Sequence, residues 1–278
     1  ETQSDTEVVL EALRAWGIDA LARFNGSFAL AFHDRRTERT ILARDRYGKR
    51  PLFVTRHLGG LFFASEMKAF LDVPGFRFEQ DPDQLRSIVA QWTPLPQQTG
   101  FVGIENLPMG SAMVVENGET RITRYDRMSF TALDAPEDEG AARERIRAAL
   151  TDSVNLRLRS DVEVGVYLSG GIDSAIVAQL GGALSAHQLS TFSVAFDDKT
   201  FDESPEQLDV ANLLGTRHEI VQISDRDIVD NLPDAVFHAE IPAFRSAFVP
   251  MYLLARRTRE AGIKVILSGE GADEAFLG

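Results

Sequence analysis

The sequence predicts two folds in one chain, an α+β first half followed by a doubly wound parallel α/β domain. Three observations carry this. Residues 27–65 run in short stretches of alternating apolar and polar side chains divided by turn residues, the pattern of antiparallel strands. From residue 141 onward, short β-branched runs alternate with helical stretches, the order that builds a parallel sheet. The length, 278 residues, is what two domains need.

The first half opens on an amphipathic helix over 5–16: Val8, Val9, Ala12, Leu13 and Trp16 share a face, Asp5 can cap it, and Gly17 stops it. Strands follow at 27–34, 40–44, 52–56 and 61–65, with turns at Asp34-Arg35-Arg36-Thr37, Tyr47 to Pro51 and Leu58-Gly59-Gly60. Short helices are expected at 66–71 and 82–90. A hairpin over 112–116 and 121–125 turns at Asn117-Gly118. Residues 129–140 carry Asp, Glu, Pro and small residues without periodicity, so they read as a linker between domains at 1–128 and 141–278.

The second half begins with a helix over 141–159, where Ile146, Leu150, Val154 and Leu158 recur every fourth residue. Strand 162–168 leads to helix 174–184, strand 189–196 to helix 205–214, and strand 218–223 to a helix over 227–238. Helix 250–260 then enters strand 264–267.

Composition narrows the function. The formal net charge is −13, the wrong sign for a chain whose main partner is nucleic acid. No apolar run reaches the length of a membrane span. The absence of cysteine removes disulfides, thiolate–zinc sites and cysteine nucleophiles from this chain. A cytoplasmic protein is expected. The opening Glu1-Thr2-Gln3 and the ending Phe276-Leu277-Gly278 read as internal cuts in a longer protein. The five histidines show no metal-ligand spacing.

Two loops carry the chemistry. Leu168-Ser169-Gly170-Gly171-Ile172-Asp173-Ser174 and Leu267-Ser268-Gly269-Glu270-Gly271-Ala272-Asp273 each follow a buried strand. Each brings a Ser-Gly backbone and an aspartate to the carboxyl edge of the sheet, where open α/β folds bind ligands. Glycine lets backbone amides approach a phosphate, and the helix starting near Asp173 adds its positive end. Ser169 and Ser174 can donate from their hydroxyls. Asp173 beside a polyphosphate makes sense as a magnesium ligand, with Asp273 as the second. A lone Ser-Gly-Gly is more often a simple turn; its echo on another strand is what favours a nucleotide. Neither a Walker A string nor a Gly-x-Gly-x-x-Gly fingerprint is present.

The string Ser169–Ser174 resembles the pyrophosphatase loop of adenylating amidotransferase ligases, and Ser268 to Asp273 resembles the second loop of the asparagine synthetases. The first half agrees. Arg44-Asp45-Arg46-Tyr47-Gly48-Lys49-Arg50-Pro51-Leu52-Phe53 and Phe63-Ala64-Ser65-Glu66-Met67-Lys68-Ala69 look like the class II glutamine amidotransferase domain of those enzymes. Gly103 to Pro108 and Pro250-Met251-Tyr252-Leu253 extend the likeness over nearly the whole chain.

That resemblance implies an incomplete Ntn-hydrolase-like αββα domain and an incomplete adenine-nucleotide α-hydrolase-like domain. It implies a ligase that cleaves ATP to AMP and pyrophosphate, adenylates the side-chain carboxylate of aspartate, and transfers ammonia from glutamine to give asparagine. Carried across, Leu168, Ser169, Gly170, Gly171, Asp173, Ser174, Val194, Ser268 and Gly269 would bind ATP. Asp173 and Asp273 would hold Mg2+, Glu270 would assist adenylation, and Asp5 would bind glutamine. The implied partners are small molecules, with a homodimer as a candidate assembly. On the residues alone, Asp5 reads as a helix cap, Arg44 to Gly48 as turn and packing residues, and Glu66 as a cap. Arg245 and Glu240 read either as an amino-acid pocket or as a surface ion pair.

The family's N-terminal cysteine is not in the chain, and Asn25-Gly26 and Asn117-Gly118 both sit in the wrong context for its Asn-Gly-Glu motif, so ammonia would come from solution or from a preceding segment. The family's downstream lysine would lie past residue 278. Alternatives are a related ligase acting on another carboxylate, a tRNA-modifying enzyme using the same loop, and a non-catalytic nucleotide-binding scaffold. The acidic charge disfavours the tRNA enzyme.

Overall fold

A computed structural model describes residues 4–129, 138–200 and 202–276. The chain divides into two compact units, Glu1–Thr131 with His238–Phe244, and Ala132–Phe237 with Arg245–Gly278. Most of the expected 129–140 linker lies outside the described residues. Its end does not: Asp138 accepts from the Ala141 amide at 3.1 Å and caps helix α3, Glu139–Arg157.

In the first unit, helix α1 spans Asp5–Trp16 and ends at Gly17, as expected. The cap is Ser4 rather than Asp5. Ser4 is extended, and its hydroxyl accepts from the Thr6 amide at 3.2 Å, which places Asp5 inside the first turn. The chain then tightens into a 3-10 helix, Gly17–Arg23, that buries Ala20 and Leu21. Strands β1 (Ala29–Asp34), β2 (Arg39–Arg44), β6 (Ser111–Glu116) and β7 (Glu119–Arg124) form one antiparallel sheet in the order β1-β2-β6-β7. The Asn117-Gly118 turn has φ of 52° and 80°, the left-handed pair that a two-residue hairpin requires. Strands β3 (Phe53–His57), β4 (Gly60–Ala64) and β5 (Ile104–Asn106) form a second sheet, β4-β3-β5. Three residues are too few to show a period, so β5 is set by its pairing with β3.

Side-chain alternation stacks this unit in layers. Ile41, Ala43, Ala112 and Val114 face Ala12, Leu13, Ala20 and Leu21 of the helical layer. Their neighbours Leu42 and Met113 point the other way, onto Leu52, Val54 and Leu107 between the sheets. Phe53 and Ile104 meet Met67 and Phe70 on the far face. That outer layer holds a 3-10 helix, Met67–Asp72, where the sequence predicts a helix. Glu66 is not its side-chain cap; Glu240 of the same unit accepts from the Met67 and Lys68 amides at 2.7 and 2.9 Å. Helix α2, Pro82–Gln91, is capped by Asp81 through the Asp83 and Gln84 amides.

The Arg44-Asp45 turn is structural, as its residues alone suggest. Asp45 is 1% exposed, and its carboxylate accepts from the Phe28, Tyr47, Lys49 and Arg50 amides. Arg44 donates to the Arg50, Leu107 and Gly48 carbonyls and to Asn106. Together they close the turn at both ends.

The second unit is a parallel sheet in the order β10-β9-β8-β11: Arg217–Ile223, Ser190–Phe196, Val164–Tyr167 and Val265–Leu267. Helices α3, α4 (Ile172–Leu184) and α5 (Ser204–Leu214) bury Val154, Ala178 and Ala211 against Val164, Val166 and Leu168 on one face. Helices α6 (Asp225–Ala239) and α7 (Phe248–Glu260) cover the other face through Ala235, Val249, Leu253 and Leu254. The sheet is therefore doubly wound. The connections run β8 to β9 to β10 in one direction, and β11 then returns to the opposite side of β8. Strand order reverses between β8 and β11, which puts a topological switch point at the two Ser-Gly loops. A short helix unannounced by the sequence pattern, α8 (Ala272–Phe276), follows the second loop. Among the described residues no helix is long and apolar enough to cross a membrane.

Candidate active site

The first loop begins where β8 loses its neighbour. Leu168 is buried and still donates its amide to Phe192 O at 2.9 Å; beyond it the chain turns away. Gly170 supplies the turn with a φ of 60°. A side chain there would press within 3.2 Å of Glu206 Cβ, so the loop rests directly on α5. Ser174 closes the loop from inside the helix: its hydroxyl donates to Gly171 O at 3.0 Å and accepts from the Ser169 amide at 3.1 Å. Its proton is thus used within the loop, while the Ser169 hydroxyl lies 3.1 Å from that same oxygen. Helix α4 starts after Gly171 with no side-chain cap, which leaves its first amides to a ligand.

The second loop lies against the first. A Cβ at Gly269 would stand 2.8 Å from the Ser174 amide nitrogen and 2.9 Å from Asp173 Cβ. Gly271, at φ 93°, then turns the chain into α8, where Asp273 sits in the first turn.

The loops open on a cleft of about 760 Å³. Leu168, Ser169, Asp173, Ser174, Val194, Ser268, Gly269, Glu270 and Asp273 all line it. Gly170 and Gly171 shape the loop without lining the cleft. Its other wall is apolar, built from Phe192, Val194 and Phe196 of β9 and from Pro250, Met251 and Leu254 of α7. One end suits a flat apolar ring and the other a polyanion with its cation. Glu203, Gln207 and Glu274 also line the cleft. The sequence signal for Gln207 is a glutamine on the inward side of α5, beside Ala211.

Asp173 and Asp273 supply hard oxygen donors. Among the described residues, no three His, Asp or Glu side chains gather as a metal cage. Carboxylate oxygen is the donor type that magnesium takes, with its remaining ligands from phosphate and water. Asp5 is exposed on the first turn of α1, in the other unit. Glu240 is not an open amino-acid ligand, because its carboxylate is held by Met67, Lys68 and the Lys68 ammonium at 3.1 Å. Among the histidines, His218 has both ring nitrogens on hydroxyls, Thr191 at 2.9 Å and Ser193 at 3.1 Å.

Comparison with known proteins agrees with this geometry. Residues 145–278 match the asparagine synthase family model, and residues 1–126 match the glutamine amidotransferase domain. By these matches the chain joins an asparagine synthase region to a glutamine amidotransferase region. It is 37% identical over 284 residues to a putative glutamine-hydrolysing asparagine synthetase of Mycobacterium tuberculosis H37Rv, covering all of this chain and 43% of that protein. Glutamine-hydrolysing asparagine synthetase 1 of Bacillus subtilis is 33% identical over 279 residues, with the same coverage. Amidase chyE of Penicillium rubens is 31% identical over 297 residues, covering 99% of this chain and 43% of the amidase. The chain thus spans less than half the length of these relatives.

Proposed function

We propose that this chain carries the carboxylate-activating site of an ATP-dependent, glutamine-hydrolysing amide ligase. The observation behind this reading is the contact of Gly269 with the Asp173–Ser174 backbone, which merges two Ser-Gly loops into one site. In this reading the adenine and ribose lie between β9 and α7, near Leu168 and Val194. The phosphates take the amides of the Ser169, Gly170 and Gly171 turn and of α4, together with Ser268 and Gly269. Asp173 and Asp273 hold Mg2+, which would neutralise charge on the departing pyrophosphate. Glu270, on the loop that faces them, helps the acceptor carboxylate attack the α-phosphate. The adenylate makes a phosphate ester the leaving group, and ammonia then displaces AMP to form the amide.

The names of the synthetase relatives favour aspartate as the acceptor and asparagine as the product. The amidase relative supports a second reading, in which the same site activates another carboxylate. We assign glutamine binding to Asp5 and an Ntn-hydrolase-like αββα fold to the first unit, in keeping with its helix–sheet–sheet–helix layers. We place the domain division between residues 128 and 138, ahead of α3. With no cysteine in these 278 residues, glutamine cleavage is assigned to no side chain here. We assign the enzyme to the cytoplasm, with a homodimer as its candidate assembly.

The test is exchange of labelled pyrophosphate into ATP by the purified protein. Exchange is expected with Mg2+ and aspartate together and with neither alone. Exchange with a different carboxylic acid would move the assignment to the second reading. ATP binding without exchange for any acid would leave a nucleotide-binding scaffold.

A further inference from the structure

Gln207 lines the cleft with chemistry that the site has not used. It sits on the inward side of α5, 3% exposed. Its Nε2 donates to Val194 O at 3.1 Å, yet its Oε1 is buried and has no hydrogen-bond partner. Buried side-chain oxygens in folded proteins nearly always have a partner, so an orphan in a ligand cleft calls for one. The Val194 carbonyl also fixes which way the amide faces. Turning it over would set Oε1 against another acceptor and leave Nε2 without one.

The position is specific. Leu168, just past the end of β8, still reaches β9 through Phe192 O. Beyond it, the edge of β9 at Val194 faces the cleft, with Gln207 bound to it. Gly170 of the first loop packs on the same turn of α5, with its Cβ position 3.7 Å from the Gln207 backbone nitrogen. A ring entering the apolar wall formed by Val194, Met251 and Leu254 therefore arrives beside the Gln207 amide.

We propose that Gln207 reads the base: its Oε1 accepts a hydrogen bond from the 6-amino group of adenine, while Nε2 keeps hold of Val194. This rests on the nucleotide reading of the cleft and deepens it. The terminal torsion of a glutamine is soft, so a small rotation turns Oε1 toward the ligand. An acceptor selects an amine over a 6-oxo group, which sets ATP apart from GTP and ITP. Shielded from water, the oxygen gains its partner only with the correct base.

Titration calorimetry of the purified protein tests this with Mg2+ complexes of ATP and of purine riboside triphosphate, which lacks only the 6-amino group. ATP is expected to bind about tenfold more tightly, the weight of one such hydrogen bond. In Gln207→Met, which keeps the volume and removes the acceptor, the two should bind within about twofold of each other. Equal binding of both nucleotides by the unsubstituted protein overturns the proposal alone. So does an unchanged tenfold preference in Gln207→Met. Binding of neither nucleotide by the unsubstituted protein removes the nucleotide reading, and the proposal with it. If Gln207→Met does not fold, the preference of the unsubstituted protein for ATP over purine riboside triphosphate and ITP decides: no preference overturns it.

Discussion

Gly269 and Ser174 lie so close that no side chain fits between them: a Cβ on Gly269 would come within 2.8 Å of the Ser174 amide nitrogen. The first loop is braced from within by Ser174 and from below by α5. The second has little room to give except outward, into the cleft. Gly269→Ala should therefore part the loops rather than unfold the sheet. We expect MgATP affinity to fall more than tenfold, with a stability loss within the roughly 1–3 kcal/mol of an overpacked site. Calorimetry and thermal unfolding on one sample separate the two. A variant that binds normally would show that the loops are not one site.

Asp173 makes a second, chemical test. Asparagine keeps its shape and removes the charge that a cation needs. Asp173→Asn should leave thermal unfolding within a few degrees and shift the Mg2+ dependence of pyrophosphate exchange to at least tenfold higher concentration. Exchange within twofold of the parent at every Mg2+ concentration would remove Asp173 from the metal site.

Much of this was legible in the sequence because the chemistry is local. Ser169, Gly170 and Asp173 belong to one turn, and their types and order, repeated on a second strand, mark the two loops as the candidate site. Strands β8 to β10 announce themselves by β-branched runs. Three things were not legible, each for the same reason. The Ser4 cap, the three-residue strand β5 and the Glu240 contact depend on which backbone donors the tertiary fold brings near. Gln207 was half legible: its place on the inward side of α5 could be read, its unpaired oxygen could not. The Arg44-Asp45 turn stands between these cases: its role was readable, its partners were not.

Those partners make Asp45 the next prediction. Its carboxylate takes four backbone amides in a setting 1% exposed. Asp45→Asn replaces one acceptor oxygen by a donor that faces other donors. The loss should be about 2–3 kcal/mol, seen as a fall of about 10 °C in the Tm of this unit. Nucleotide affinity, which belongs to the other unit, should not change. A Tm within 2 °C of the parent would mean that the turn holds without its carboxylate.

His218 sets a pH dependence. Burial pushes its imidazole below the ordinary value of 6.5, and a hydrogen bond with the Thr191 backbone only partly opposes this. The unfolded chain therefore binds a proton that the folded chain resists. The stability contributed by neutral His218 is complete above pH 6.5 and is lost as pH falls below it toward the depressed folded value. Thermal unfolding from pH 7.5 to 5.5 should show a steeper decline in the parent than in His218→Gln. Parallel curves would show that this histidine does not titrate against folding.

Glu240 gives the last prediction. The segment His238–Phe244 is compact with the first unit, and Glu240 anchors it. Its carboxylate takes the Met67 amide at 2.7 Å, the Lys68 amide at 2.9 Å and the Lys68 ammonium at 3.1 Å. It does so from a left-handed backbone, φ 60°, that a glutamate enters at some cost. The contacts outweigh that cost, so Glu240→Ala should destabilise this unit by about 1–3 kcal/mol, the penalty of leaving buried amides unpaired. Glu240→Gly relaxes the backbone and still removes the carboxylate, so it should recover only part of the loss. Glu240→Gln, with one acceptor oxygen left, should fall between the parent and Glu240→Ala. If Glu240→Gly were instead more stable than the parent, the backbone would dominate and the carboxylate would be a minor contact.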